Sequence, residues 1–285
     1  MEFRNPENVR KGSLDKAHKA YDNKDFIHSR DGRMIRLLSE YQYPEQYFRK
    51  YGVKGTIVFY GSARTLSLDE FDMRIKELHD KFADAPPEQK EYFSNMIETF
   101  MKTYEMTNTY NEAVILSMKL SEWVKTLNEN QKMLICTGGG PGMMEAANRG
   151  AHRANAPSIG LNISLPFEQY PNNYITPDLN FEFHYFFMRK FWFVYLAKAI
   201  VALPGGLGTL DELFEILTLK QTRKVTKPIP IVLYNEKFWK KLINFEYLIE
   251  MGMISREDLS LFKFCNTPDE AFEYLKENIV LNAAR

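Results

Sequence analysis

The stretch LPGGLGTLDE, residues 203–212, sets three glycines, a threonine and two carboxylates between an apolar run and a helical pattern. Glycine lets a turn approach a ligand with no Cβ in the way, and uncovered amides at a helix start attract anions. The chemistry on offer is the seating of a phosphate by Gly205, Gly206, Gly208 and Thr209, with the carboxylate of Glu212 a turn further in. The same letters also spell a capping box, in which Thr209 is the N-cap and Glu212 bonds back to its amide. Leu210, Leu213, Phe214 and Leu217 would then form the buried stripe of the helix. On pattern alone the two readings are balanced.

Two more stretches place small residues after an apolar run. FYGSAR at 59–64 contributes Ser62, and CTGGGPGMMEAANRGA at 136–151 contributes Gly139 and Gly140. Three such loops in one chain argue for an anion site better than any one of them. In the second, Met143, Ala146, Ala147 and Gly150 recur at helical spacing, a small-residue face suited to close packing on a sheet. Glu145 falls off that face, placed either to contact a ribose or to be solvated. A dinucleotide fingerprint starting at Gly138 would need glycine where Met143 stands, and no G-K-[ST] follows any loop, so neither NAD nor ATP is favoured. No cofactor is expected.

These loops need elements to hold them. From about residue 54, short β-branched runs (TIVFYGSA, MLICTGGG, SIGLNISL, LNFEFHYF, AIVALPGG, IPIVLYN) alternate with longer helical patterns. TIVFY and IPIVLY are apolar at nearly every position, as in strands covered on both faces. The expected fold class is α/β, a doubly wound parallel sheet with crossover helices, whose ligands bind beyond the carboxyl ends of the strands. Residues 1–50 are polar and partly helical in pattern, an N-terminal extension; residues 51–285 form the catalytic domain. That domain is interrupted at about 66–107 by two helices around Ala85, Pro86 and Pro87.

Lys+Arg and Asp+Glu both number 37, so no global charge draws the chain to nucleic acid or anionic lipid, and neither partner is expected. The first thirty residues contain no signal-peptide core, and the apolar run at 191–203 is broken by Lys198. A cytoplasmic protein is expected. Cys136 and Cys265 stand far apart, and five scattered histidines form no H-E-x-x-H, so neither a disulfide framework nor a metal site is supported.

PGGLGTLDE matches the P-G-G-x-G-T-x-x-E signature of the Lonely Guy family, the cytokinin riboside 5'-monophosphate phosphoribohydrolases once labelled possible lysine decarboxylases. TGGGPGMMEAANRGA and FFMRK resemble the companion motifs, and the resemblance runs from about Gly55 to Asn235. It implies a Rossmann-like fold, a homodimer or higher oligomer with the site near the subunit interface, and cleavage of the N-glycosidic bond of AMP or an N6-modified AMP. It also implies that Arg189 and Glu212 are the essential pair. The N-terminal extension and the inserted helices depart from the compact plant-like members.

Hydrolysis of an N-riboside passes through an oxocarbenium-like state, which needs stabilised charge at C1', an oriented water and an anchored phosphate. Glu212 suits the first two tasks, and Arg189 with Lys190 offers charge-assisted bonds to phosphate or ribose. Cations near a helix start are unfavourable, so this pair wants an anion. Glu168 in SLPFEQYPN is a candidate for the base or ribose, Thr218 and Gln221 for further polar contacts, and Tyr185 and Phe186 for stacking on a purine. A pyridoxal-phosphate decarboxylase would need a Schiff-base lysine that nothing in the sequence singles out. A non-catalytic carrier of a phosphorylated ligand, resembling molybdenum-cofactor carriers, would not need the Arg189 and Glu212 pair.

Overall fold

The computed structural model describes residues 17–166 and 170–281. The chain divides into two compact units, one ending at Tyr43 and the other beginning at Pro44. In the first, a single 3₁₀ turn leads into helix α1 (Lys24–His28), which Asn23 caps by accepting from the Phe26 amide. Helix α2 (Arg33–Lys50) starts here and ends in the second unit.

The second unit is a parallel sheet flanked by helices. Strands β1 (Gly55–Tyr60), β2 (Met133–Thr137), β3 (Ser158–Ile163), β4 (Asn180–Phe183), β5 (Ala197–Ala202), β6 (Ile231–Tyr234) and β7 (Lys263–Cys265) lie in the order β4-β3-β2-β1-β5-β6-β7. Every pairing is parallel. The α/β, doubly wound expectation therefore holds, and the central strands β1, β2, β5 and β6 are buried almost throughout, as their unbroken apolar runs required. The short edge strand β7 carried no recognisable pattern, because three residues are too few to show a period.

Between β1 and β2 stand α3 (Leu68–Asp84), α4 (Pro87–Met101) and α5 (Tyr104–Lys125). A capping box starts α3: the Ser67 hydroxyl accepts from the Glu70 amide, and Glu70 accepts from the Ser67 amide. Ala85 and Pro86 separate α3 from α4, whose first residue is Pro87, a position where a missing N–H costs nothing. Helix α6 (Met143–Arg153) follows β2 and buries Met143, Ala146, Ala147 and Gly150. A methyl group on Gly150 would lie 2.3 Å from the Val114 carbonyl oxygen, so glycine there sets how closely α6 approaches α5. Helices α7 (Phe186–Tyr195), α8 (Leu207–Gln221), α9 (Glu236–Leu242), α10 (Phe245–Glu250) and α11 (Pro268–Asn278) complete the chain order.

The strand order reverses at β1. Connections through β2, β3 and β4 step outward on one side, and the chain then returns to lay β5 on the other. The carboxyl ends of β1 and β5 are thus neighbours whose following loops part in opposite directions, which opens a crevice at that edge of the sheet. Among the described residues no helix is long and apolar enough to cross a membrane.

Candidate active site

The three small-residue loops meet at this crevice and are tied to one another by backbone hydrogen bonds. The Ser62 amide donates to the Pro204 carbonyl at 3.0 Å, and the Met143 amide donates to the Ser62 carbonyl at 2.9 Å. Gly142 has φ +70°, and a Cβ there would come within 2.4 Å of the Ser62 oxygen. Only glycine lets the loop after β2 lie this close to the loop after β1. Ser62 is accordingly a tie point, and its side chain accepts from the Arg64 amide at 3.0 Å.

Helix α8 begins at Leu207 with Gly206 as N-cap, and no side chain caps it. The Leu210 amide is the first in the ladder, donating to Gly206 at 3.0 Å, so the amides of Gly206, Leu207, Gly208 and Thr209 are its orphan donors. The capping-box reading is thereby corrected. Thr209 lies three residues inside the helix and Glu212 six, because the turn closes earlier than the threonine suggested. The Thr209 side chain instead packs back on Gly205, where an added Cβ would sit 2.1 Å from Oγ1. The stripe also divides: Leu213 and Leu217 are buried, but Phe214 is 39% exposed.

Glu212 is 6% exposed, and its Oε1 accepts from Arg189 Nη2 of α7 at 3.0 Å. The guanidinium also lies against the Phe186 and Phe193 rings, with centroid distances of 5.4 and 5.6 Å. A Cβ on Gly138 would be 3.9 Å from Nη1, so Arg189 reaches from α7 to the loop after β2 as well as to α8. Its Nε, although buried, has no hydrogen-bond partner. Lys190 bonds Asp211 at 2.9 Å and Glu215 at 2.8 Å. The anions that these two cations want are therefore supplied in part by α8 itself.

Burial lifts the Glu212 carboxyl to about 6, against the opposing pull of Arg189 and Lys190. Burial pulls the Lys190 ammonium down, but its bonds to Glu215 and Asp211 prevail and leave it above the ordinary lysine value. Tyr60, at the end of β1, is fully buried with its hydroxyl unpartnered; burial, then Glu212, pushes that phenol well up. The arrangement is a carboxylate that ionises near neutrality, clamped by an arginine, beside four undirected amides.

Arg189, Glu212, Lys190, Gly205, Gly206, Gly208, Thr209, Gly139, Gly140 and Ser62 belong to the elements and loops around this crevice. The rest of the sequence candidates lie apart or are otherwise engaged. Glu145 accepts from the Tyr110 hydroxyl at 2.8 Å. Thr218 lies on the exposed face of α8 with Leu207, Leu210, Asp211 and Phe214, not on the face that carries Glu212. Gln221 donates to Asp258 at 2.8 Å. Tyr185 is buried at the α7 N-cap, whereas Phe186 is exposed beneath Arg189. Glu168 lies outside the described residues. Sequence reasoning missed the Leu207 amide, Tyr60 and the carboxylate partners of Lys190; only a fixed helix start and rotation reveal them. Among the described residues no group of three or more His, Cys, Asp or Glu could hold a metal ion.

Comparison with known proteins bears on the same segment. Residues 144–275 match the family model described as "Possible lysine decarboxylase". A probable cytokinin riboside 5'-monophosphate phosphoribohydrolase of Oryza sativa subsp. japonica is 27% identical over 155 residues, covering 54% of this chain and 66% of the relative. The Lonely Guy resemblance is borne out. An Arabidopsis thaliana enzyme named cytokinin riboside 5'-monophosphate phosphoribohydrolase, also of the Lonely Guy group, is 33% identical over 82 residues, 28% of this chain and 38% of the relative. The chain thus spans between 38% and 66% of the length of these two Lonely Guy relatives. The molybdenum cofactor binding protein of Rippkaea orientalis aligns at 20% identity with a TM-score of 0.41, covering 59% of this chain and 89% of that one.

Proposed function

We propose that this protein hydrolyses the N-glycosidic bond of a nucleoside 5'-monophosphate, AMP or an N6-modified AMP, to release the free base and ribose 5-phosphate. The observation that carries the reading is the buried Arg189–Glu212 pair at 3.0 Å beside the uncapped start of α8. The names of the relatives support the same chemistry at modest identity.

The 5'-phosphate docks on the amides of Gly206, Leu207, Gly208 and Thr209, with Gly139, Gly140 and Ser62 on the facing loops. Glu212 lies about 7 Å further along the helix axis, within reach of a ribose whose phosphate is held at the helix start. As the C1'–N bond breaks, its electron pair leaves with the base, and the carboxylate stabilises the cation developing at C1'. A water oriented by Glu212 attacks C1' and passes its proton to that carboxylate, while the departing base takes a proton from solvent. Arg189 holds Glu212 in place through Nη2 and keeps Nε available for the phosphate or ribose. Anchoring the remote phosphate turns binding energy into orientation at C1'.

Phe186, Phe187, Leu207 and Phe214 stand 49%, 52%, 86% and 39% exposed on α7 and α8. Apolar exposure at the rim of the crevice supports a second copy of the chain packing there and closing the site. Sedimentation should then find a dimer or larger oligomer, and a Leu207→Glu, Phe214→Glu double variant should be monomeric and poorly active.

The direct experiment incubates purified protein with a panel of nucleoside monophosphates and analyses products for free base and ribose 5-phosphate. Tight binding without release of either product, for every member of the panel, would reject the hydrolase reading in favour of a carrier.

A further inference from the structure

The loop after β2 is shaped by a buried network of neutral side chains that no assigned role uses. Asn172 is 9% exposed, and its Nδ2 donates to the carbonyls of Gly139 at 3.1 Å and Gly140 at 3.0 Å. The same nitrogen donates to Asn148 Oδ1 at 3.0 Å, and the Asn172 amide donates to Gly139 at 2.8 Å. Asn148 is fully buried; it accepts from the Thr137 hydroxyl at 2.7 Å and donates to Ser158 Oγ at 3.0 Å. Thr137 Oγ1 in turn accepts from the Gly139 amide at 2.9 Å.

The consequence lies in the peptide plane. In a trans peptide the carbonyl and the following N–H point in opposite directions. With the Gly139 carbonyl turned onto Asn172, the Gly140 N–H is turned away from it. The Gly140 carbonyl also faces Asn172, and the next residue, Pro141, has no N–H to offer. Gly139 adopts φ +75°, and a Cβ there would lie 2.3 Å from Asn162 Oδ1, so only glycine fits this arrangement, and the bonds from Asn172 are what hold it.

We infer that Asn172 is a positioning residue that fixes the Gly139–Gly140 peptide so that the Gly140 amide is aimed as a single donor at the anionic group of the bound nucleotide. This rests on the proposed function for the identity of the ligand, but the orientation of the amide does not.

Selective ¹⁵N-glycine labelling tests it, since the chain has only 15 glycines. In the full-length protein, the Gly140 amide resonance should move saturably when inorganic phosphate or AMP is added. In Asn172→Ser, which keeps one short donor, phosphate affinity should fall about tenfold, with the loss in turnover appearing in KM and kcat changed less than twofold. Asn172→Asp, which sets lone pairs against both carbonyls, should lose more; if it does not fold, Asn172→Ser decides alone. A merely structural role would lower the melting temperature while leaving KM unchanged for the folded fraction. A Gly140 amide that ignores phosphate in the wild type, or an unchanged affinity in Asn172→Ser, overturns the inference. Phosphate binding that depends on Asn172, in a protein that releases no base from any nucleotide, would uphold it and reject the hydrolase reading instead.

Discussion

Gly139, in the loop after β2, and Gly208, in the first turn of α8, stand at the same edge of the sheet, but a methyl group added to each meets different surroundings. On Gly139 it would strike Asn162 at 2.3 Å in a backbone with φ +75°; on Gly208 it would meet nothing within 4 Å. The loop after β2 is backed by neutral amides and hydroxyls hydrogen-bonded to it and to one another, which sets its shape. After β5, Gly205 is closed off by the Thr209 side chain, but Gly206 and Gly208 face open space, and this turn is flanked by four charged groups, Arg189, Lys190, Asp211 and Glu212. One loop is a scaffold of fixed shape, and the other is where charge can act. Similar composition therefore conceals a division of labour between geometry and electrostatics.

The strongest way to break this comparison is to remove charge from the second loop. On the proposed mechanism Glu212→Gln should lower kcat by about a thousandfold or more, because it deletes the charge assigned to stabilising the transition state. Folding should survive, since no capping bond is lost. Retention of more than a tenth of wild-type turnover would end the catalytic assignment. Arg189→Ala should cost comparable activity and also about 3 kcal/mol of stability in denaturant titration, because Glu212 is left buried without its partner.

A substitution in the scaffold loop should act first on stability. Gly139→Ala forces a strained backbone against Asn162 and should lower stability by about 2 kcal/mol, seen as a shifted denaturation midpoint. Gly208→Ala, in the first turn of α8, should keep the wild-type midpoint or raise it slightly, while the methyl group intrudes on the ligand and raises KM. If the two glycine variants exchanged these signatures, the comparison would be wrong.

The smallest expected effect is in pH. Burial holds the Glu212 carboxyl at about 6, so kcat/KM should rise as pH climbs through about 6, and this limb should vanish in Glu212→Gln. The sign for stability is opposite to that of an ordinary salt-bridged carboxylate. A carboxyl raised in the folded state contributes stability below its unfolded value, which is lost as pH rises through about 6. The melting temperature of the wild type should fall relative to Glu212→Gln over that window.

The sheet was legible because its central strands are continuous apolar runs and because Met143, Ala146, Ala147 and Gly150 keep helical spacing over two turns. Both signals are local, and burial on two faces leaves little freedom for any other pattern. The glycine loops at the sheet edge were legible for a similar reason: glycine clusters between a strand and a helix serve few purposes. The family motifs added Arg189 and Glu212, residues 23 positions apart that no periodicity relates.

Local sequence could not fix which residue starts α8. Thr209 is a good N-cap by composition, yet Gly206 takes that place, because the turn from β5 closes three residues sooner. Helix boundaries depend on where the preceding strand delivers the chain, and that is a property of the sheet. The carboxylate partners of Lys190, the unpartnered Tyr60 hydroxyl and the reach of Asn172 across 33 residues to Gly139 were hidden for the same reason. The sequence by itself determined the alternation of strands and helices and the kinds of side chain carried to the carboxyl edge of the sheet. The tertiary structure alone decided which of them meet, because side-chain hydrogen bonds act over about 3 Å and chain separation says nothing about distances that small.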